Sequence, residues 1–430
     1  MIRRLGLNGV NDLALAGLLA WAPLSAALYP FLRVGDPASL TFDRVWIVAL
    51  GAWTLFNLRT GRPRSRPADI VAGLALLFAV TFGIRSLLTP GDSLTVMKVW
   101  VDAIVLPVIL LFAARRLIAG MREMRLLLGS LAIAGLILAV VGLAQYAFDF
   151  ELATRSGGTP FYDSAIDRIR VSGPFPLTET YALALLVCFA ATLCWHRLRG
   201  AGLLSVTTAI AVLELAAIGI TFFRAAWIAA LVVVGCALAY RLRGGLRPAV
   251  AVAIVAALAA FVFGMTRIDS VSTRLGNSDN VTGRIATWGQ DLNVFATAPV
   301  FGVGVETFSS KTTESTAVVI SDVVSLNQPH SSYLGLLAEQ GVVGFLPFLA
   351  LTLAVWWLLR ALRRSADDDD DRAIWACLLG AGLAYLLLSL TLTMLPLGSS
   401  NALFALLLGG VAARLDRLSA RAGTAADQPA

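Results

Sequence analysis

Apolar residues run along this chain in long blocks separated by short polar intervals. The blocks lie near 11–32, 44–58, 68–89, 94–113, 124–147, 177–195, 202–221, 224–240, 248–264, 331–359, 373–395 and 400–413. A helical crossing of a bilayer core needs about 20 mostly apolar residues. Within a block apolar positions do not alternate with polar ones in a period of two, which excludes a membrane β-barrel. The pattern therefore predicts an all-α, polytopic integral membrane protein of about twelve transmembrane helices, with residues 1–430 forming one membrane domain. The stretch 203–240 is too long for one crossing and is interrupted only by Glu214 and Arg224, so it is expected to fold back at 221–224.

Two polar intervals stand out, 148–176 and 265–330. Within the larger, Ile285, Trp288, Leu292 and Phe295 recur at helical spacing, Asn280 or Thr282 can cap the start, and Pro299 forbids continuation. This predicts a short amphipathic helix over 283–295, lying on the membrane surface between helices 9 and 10 with Arg284 in its first turn. An interfacial Arg that only snorkels accounts for the same spacing. The interval ends in QPHSSYLGLLAEQGVVG. There Asn327 suits an N-cap and Pro329 a first turn, so His330 is expected at the entrance of the helix through Tyr333, Leu334, Leu337 and Ala338. A structural, hydrogen-bonded histidine is the plainer alternative, and His196, among Arg197 and Arg199, serves as the comparison.

Composition agrees with the pattern. Hydrophobic residues make up 58% and charged ones 14% of the chain, a balance that a water-exposed surface cannot accommodate. Short basic connectors at 59–67, 115–125, 241–247 and 360–364 mark the cytoplasmic side, leaving twelve of the 34 Lys and Arg, Arg85 and Arg224 among them, on the other. Both termini are then inside a bacterial inner membrane and both long intervals face the periplasm. The N-terminal apolar run reads as a first span, not a cleaved signal. The basic residues are scattered among connectors, which argues against nucleic acid as a partner. Cys188, Cys194, Cys236 and Cys377 sit inside apolar runs and read as small core residues. The run Asp367–Asp371 beside Arg360, Arg363, Arg364 and Arg372 reads as a solvated, charge-balanced loop. Asp163 with Asp167, and Asp36 with Asp43, lack the tight spacing of a metal site, so no metal or other cofactor is expected. Asp102, Glu214 and Glu339 lie within spans; each is a candidate for function, for helix packing, or for pairing with a cation such as Lys98.

Arg170, Arg224, Arg284 and His330 are far apart in sequence, yet the topology puts all four on the outer side. Arginine presents a planar, permanently charged fork that holds phosphoryl oxygens in pairs, so two or three of them suit a lipid-linked pyrophosphate.

The residues also resemble a family. Arg170 in RVSGPF, Arg224 in FFRAAW, TGR-x3-W over 282–288, the P-x2-G-x-G of Pro299, Gly302 and Gly304, and the H-x2-Y of His330 and Tyr333 followed by Glu339, Gly341 and Gly344 are similar in order and spacing to the O-antigen ligase and polymerase superfamily, the Wzy-C-type membrane glycosyltransferases. Ser331 replaces the Asn often found after the family's His, and the Arg170 motif is loosely met. The resemblance implies a GT-C-type helical fold and inverting, metal-independent transfer of a glycan from undecaprenyl pyrophosphate to a sugar hydroxyl of the lipid A core. It implies His330 as base, Arg224, Arg284 and Arg170 on the pyrophosphate, and Tyr333, Trp288 and Glu339 as secondary candidates. An O-antigen or exopolysaccharide polymerase would use the same donor chemistry. The chain shows no large soluble domain after Arg414, which argues against protein O-glycosylation. A secondary transporter of about twelve helices is the non-enzymatic alternative, expected to carry inverted repeats with matching broken helices, of which the sequence shows none.

Overall fold

In a computed structural model, the structure describes residues 10–29, 41–56, 63–89, 93–150, 152, 162–163, 168–240, 279–308, 329–393 and 397–426. The helices are α1 (Val10–Leu28), α2 (Phe42–Phe56), α3 (Arg66–Leu88), α4 (Ser93–Trp100), α5 (Leu106–Leu117), α6 (Met121–Phe148), α7 (Thr178–Leu198), α8 (Val206–Gly219), α9 (Arg224–Ala239), α10 (Asp279–Thr297), α11 (Ser332–Ser365), α12 (Asp369–Thr391) and α13 (Gly398–Ala426). A π-helical turn, Val101–Val105, joins α4 to α5. The only strands among the described residues are β1 (Tyr162–Asp163) and β2 (Arg168–Ile169), antiparallel with Tyr162 opposite Ile169. Every apolar block read from the sequence falls on a helix except 248–264, which lies outside the described residues. Seven helical stretches among the described residues are long and apolar enough to cross a membrane, and α8 and α9 are shorter apolar helices. The chain is a polytopic membrane protein.

The core is organised around α7, buried on every side from 181 to 191. Glycines on α6 make room for it and for α8: a Cβ at Gly142 would fall 1.8 Å from the Tyr181 hydroxyl, and one at Gly135 would fall 1.8 Å from Glu214 Oε1. Close approach through small residues is how helices associate without a hydrophobic drive between them. Glu214, wholly buried, accepts a hydrogen bond from the Thr192 hydroxyl at 3.0 Å. Asp102 does not pair with Lys98; Arg44 Nε and Nη2 grip its two oxygens at 2.7 Å each. The fork matches the carboxylate's geometry, which a point-charge ammonium cannot.

The acidic run is solvated at Asp367–Asp369, as expected, but it also makes specific contacts and its last member is buried. Asp368 caps α12 by accepting the Asp371 N–H at 2.7 Å, Asp370 pairs with Arg125 on α6 at 2.9 Å, and Asp369 pairs with Arg197 on α7 at 3.4 Å. Asp371 is buried and held by Arg414 of α13 at 2.6 and 3.0 Å. The run thus ties three helices to α12. α13 also continues well past the apolar block at 400–413, because Arg414 and Asp416 find partners inside: Asp416 receives Arg115 at 2.8 Å and the Ser65 N–H at 2.7 Å.

Candidate active site

The opposite end of the bundle, where α3 and α12 finish and α9 begins, gathers the sequence motifs. The apolar stretch 203–240 does reverse there. Phe222 takes a left-handed backbone at φ 51°, which costs about 1–2 kcal/mol for a residue other than glycine. The Trp227 indole offsets this by donating to the carbonyls of Ile218 and Gly219 at 3.2 and 3.1 Å. Arg224 follows as the first residue of α9.

Arg170 approaches the same region. Gln145, near the end of α6, accepts the N–H groups of Ser172 and Gly173 at 3.0 and 2.8 Å, while its neighbour Tyr146 meets the Phe222 ring at 6.3 Å. The Arg170 segment and the Arg224 turn therefore share one support. Arg170 itself lies 3.9 Å from Glu179 in the first turn of α7, a loose pairing.

His330 stands just outside its helix. α11 begins at Ser332 with Ser331 as N-cap, the Ser331 hydroxyl accepting the Leu334 N–H at 3.5 Å. The cap expected at Asn327 lies outside the described residues, and Pro329 with His330 precede the cap where a first turn was expected. This accounts for the Ser at 331: serine and asparagine are both good N-caps. The hydroxyls of Ser332 and Thr393 fasten the segment, donating to Leu392 O at 2.8 Å and to Pro329 O. The indole of Trp288 on α10 reaches His330 O at 3.4 Å. Tyr333 donates to Leu386 O at 3.1 Å, an anchoring role.

α12 sets the level of Arg224 relative to this segment. A Cβ at Gly380 would lie 3.3 Å from Val233, and Arg197 bonds both Tyr240 (3.1 Å) and Asp369 (3.4 Å), so α9 and α12 run antiparallel. Nine residues back from Val233 is Arg224, and nine on from Gly380 is Ser389, whose carbonyl lies 3.5 Å from the Ser331 hydroxyl. Arg224 and His330 thus flank the same end of α12.

α11 is broken at Gly341, with φ 63° and ψ −167°. The rings of Tyr333 and Phe348 are 6.1 Å apart, although a straight helix would separate their backbones by about 22 Å. Residues 332–340 therefore turn across the end of the bundle, and residues 342–365 remain long enough to span it. Pro347 sits within helix. The groups freed at the break are taken up by the P-x2-G-x-G loop. Val303 and Gly304 donate to Ala338 O and Glu339 O at 3.0 and 2.9 Å, and Val342 and Val343 donate to Pro299 O and Val300 O at 2.9 and 3.1 Å. A Cβ at Gly302 would fall 2.3 Å from the Glu339 carbonyl, which explains glycine there.

The loop also gathers carboxyls. The Glu339 carboxyl lies against the backbone of Glu306 and Phe308. Burial pushes the Glu306 carboxyl up from its usual range. Asp291 on α10 is wholly buried, neither of its oxygens has a hydrogen-bond partner, and burial pushes its pKa up to about 7. Sequence reading missed Asp291. The signal was its position on the buried stripe Thr287, Asp291 and Val294, where helical spacing calls for an apolar residue. α10 is longer than the predicted 283–295, so Asn280 and Thr282 lie inside it and do not cap it. The backbone of Arg284 is in α10 one turn before Trp288; its side chain lies outside the described residues. Among the described residues no group of three or more His, Cys, Asp and Glu could hold a metal ion.

The described helices form the bundle of a polytopic membrane protein, with Arg224 and His330 at the same end of α12. Residues 209–349 match the Wzy_C family, described as O-antigen ligase, so the resemblance read from the motifs is shown over about a third of the chain. The matched segment contains Arg224, Arg284, His330, Tyr333 and Glu339 but not Arg170. The match supports an enzyme of the O-antigen ligase or polymerase kind, acting on lipid-linked glycans. No curated protein matches the chain.

Proposed function

We propose that the protein is an O-antigen ligase of the bacterial inner membrane, working at its periplasmic face with both termini inside. The donor is a glycan on undecaprenyl pyrophosphate and the acceptor a sugar hydroxyl of the lipid A core. The observation that supports this reading is that the Arg224 turn and the His330 segment lie at the same end of α12, both within the matched stretch. His330 takes the proton of the attacking hydroxyl as the oxygen bonds to the anomeric carbon. The bond from that carbon to the pyrophosphate oxygen breaks, and the stereochemistry inverts. Negative charge grows on the leaving oxygen, where Arg224 and Arg284 stabilise it, with Arg170 as a further contact; preorganised donors of this kind are worth about 3–4 kcal/mol each. A neutral imidazole is required of a base; a helix N-terminus favours that form, whereas a nearby pyrophosphate favours the charged one.

A transporter with a substrate site at its broken helix is the non-enzymatic rival. At Gly341, however, the four backbone groups of Ala338, Glu339, Val342 and Val343 are all bound by the loop 299–304, which leaves them nothing to offer a solute. The test is to delete the chain in its host and separate the surface glycans on a gel. Free core with accumulated long lipid-linked polymer is expected. Core bearing a single repeat would assign a polymerase instead, and unchanged glycans would overturn the proposal.

A further inference from the structure

Arg85 is a residue of the Arg224 end that the transfer chemistry does not use. It stands in the last turn of α3, and its Nη2 donates to Gly302 O at 3.2 Å. Its Nε is buried without a hydrogen-bond partner, and among the described ion pairs none includes it. A single bond to a neutral carbonyl does not offset the hydration a partly buried guanidinium loses, so its remaining Nη donors are poised for an anion. The Phe301 ring lies 5.9 Å from the guanidinium carbon. Phe301 and Val300, on the loop that Arg85 bonds, and Leu87 and Leu88, in the same last turn of α3, are each more than half exposed, an apolar skirt at the level of the charge. An arginine at the end of a 23-residue span, level with exposed apolar side chains, sits where hydrocarbon gives way to phosphate in a bilayer. A soluble anion would leave that skirt in water; a lipid phosphate covers it with its own chain.

We propose that Arg85 docks the phosphate of a polyprenyl-linked lipid, as a contact separate from the site at His330. Residues 332–340, about 13 Å of helix, lie between the Arg85 loop and the His330 segment. The choice of a polyprenyl chain rests on the donor class proposed above; the phosphate contact rests on Arg85 alone. Thr89 holds the arrangement, its hydroxyl accepting the Val305 N–H at 3.1 Å and donating to Arg85 O at 2.8 Å.

The test measures binding of undecaprenyl phosphate to the full chain in phosphatidylcholine nanodiscs, with phosphatidylglycerol titrated in parallel. Arg85→Gln keeps an N–H for Gly302 O and removes the charge. It is expected to weaken undecaprenyl phosphate binding about tenfold, with Arg85→Lys retaining most of the affinity. His330→Ala is expected to bind as the wild type does while losing transfer, which separates this proposal from the assignment of the base. Wild-type affinity in Arg85→Gln would overturn the proposal, as would an equal loss for phosphatidylglycerol, which would make the contact one for any anionic lipid. Should the variants not fold, phenylglyoxal modification of Arg85 in the wild type, read by mass spectrometry, decides it. Protection by undecaprenyl phosphate supports the contact, and unchanged modification refutes it.

Discussion

Replacing Gly302 by alanine tests whether the loop 299–304 and the break in α11 form one unit. The residue has φ 70°, where an alanine pays about 1 kcal/mol or slightly more. Its Cβ would stand 2.3 Å from the carbon and oxygen of Glu339 and from Gln340 N, all backbone atoms that cannot rotate away. The loop must withdraw, and the bonds Val303 to Ala338 (3.0 Å) and Gly304 to Glu339 (2.9 Å) are lost with it. At about 1 kcal/mol for each bond the total comes to roughly 3–4 kcal/mol. Gly289, in α10 with nothing within 4 Å of its would-be Cβ, is the control; alanine there is expected to stabilise by about 0.5–1 kcal/mol. Denaturation of the purified protein in detergent measures both, and glycan transfer by the same samples reports the site. A Gly302→Ala protein within about 0.5 kcal/mol of wild type would refute the coupling.

Removing either partner of the buried Asp371–Arg414 pair is expected to cost about 3–5 kcal/mol, and removing both, as Asp371→Asn with Arg414→Met, distinctly less; additive losses in a double-mutant cycle would contradict this. Asp291 has a folded pKa of about 7, above its unfolded range, so the folded state binds more protons than the unfolded one between these values. Stability should therefore fall as pH rises from about 4 to about 7, by up to a few kcal/mol, and Asp291→Asn should flatten that dependence; an unchanged pH profile in the variant would sink the assignment. Tyr333→Phe, which loses only the bond to Leu386 O, should retain transfer with stability lower by about 1 kcal/mol, and loss of transfer in a stable variant would give Tyr333 a chemical role.

Periodicity and run length exposed the spans because burial in lipid demands nothing finer than about twenty apolar residues in a row. The fold-back at 221–224 was legible for the same reason, since 203–240 is too long to cross once. The break at Gly341 was hidden: its cause is the loop 299–304 forty residues upstream, and local propensity carries no trace of that pairing. Likewise the contacts of Asp369, Asp370 and Asp371 were hidden because their partners Arg197, Arg125 and Arg414 come from three distant helices. Residue chemistry pointed to Arg224 and His330, whereas Arg85 and Asp291 needed coordinates, because what distinguishes them is polar atoms left without partners.

The central claim is that Arg224, Arg284 and His330 transfer a glycan from a lipid pyrophosphate. The most direct measurement is single-turnover transfer by the purified protein from undecaprenyl-pyrophosphate-linked glycan to lipid A core, compared among wild type, Arg224→Ala, Arg284→Ala and His330→Ala. Each variant is expected to fold and to lose transfer at least about a hundredfold, with donor affinity weakened in the two arginine variants and retained in the histidine one. Transfer at the wild-type rate by His330→Ala would contradict the account.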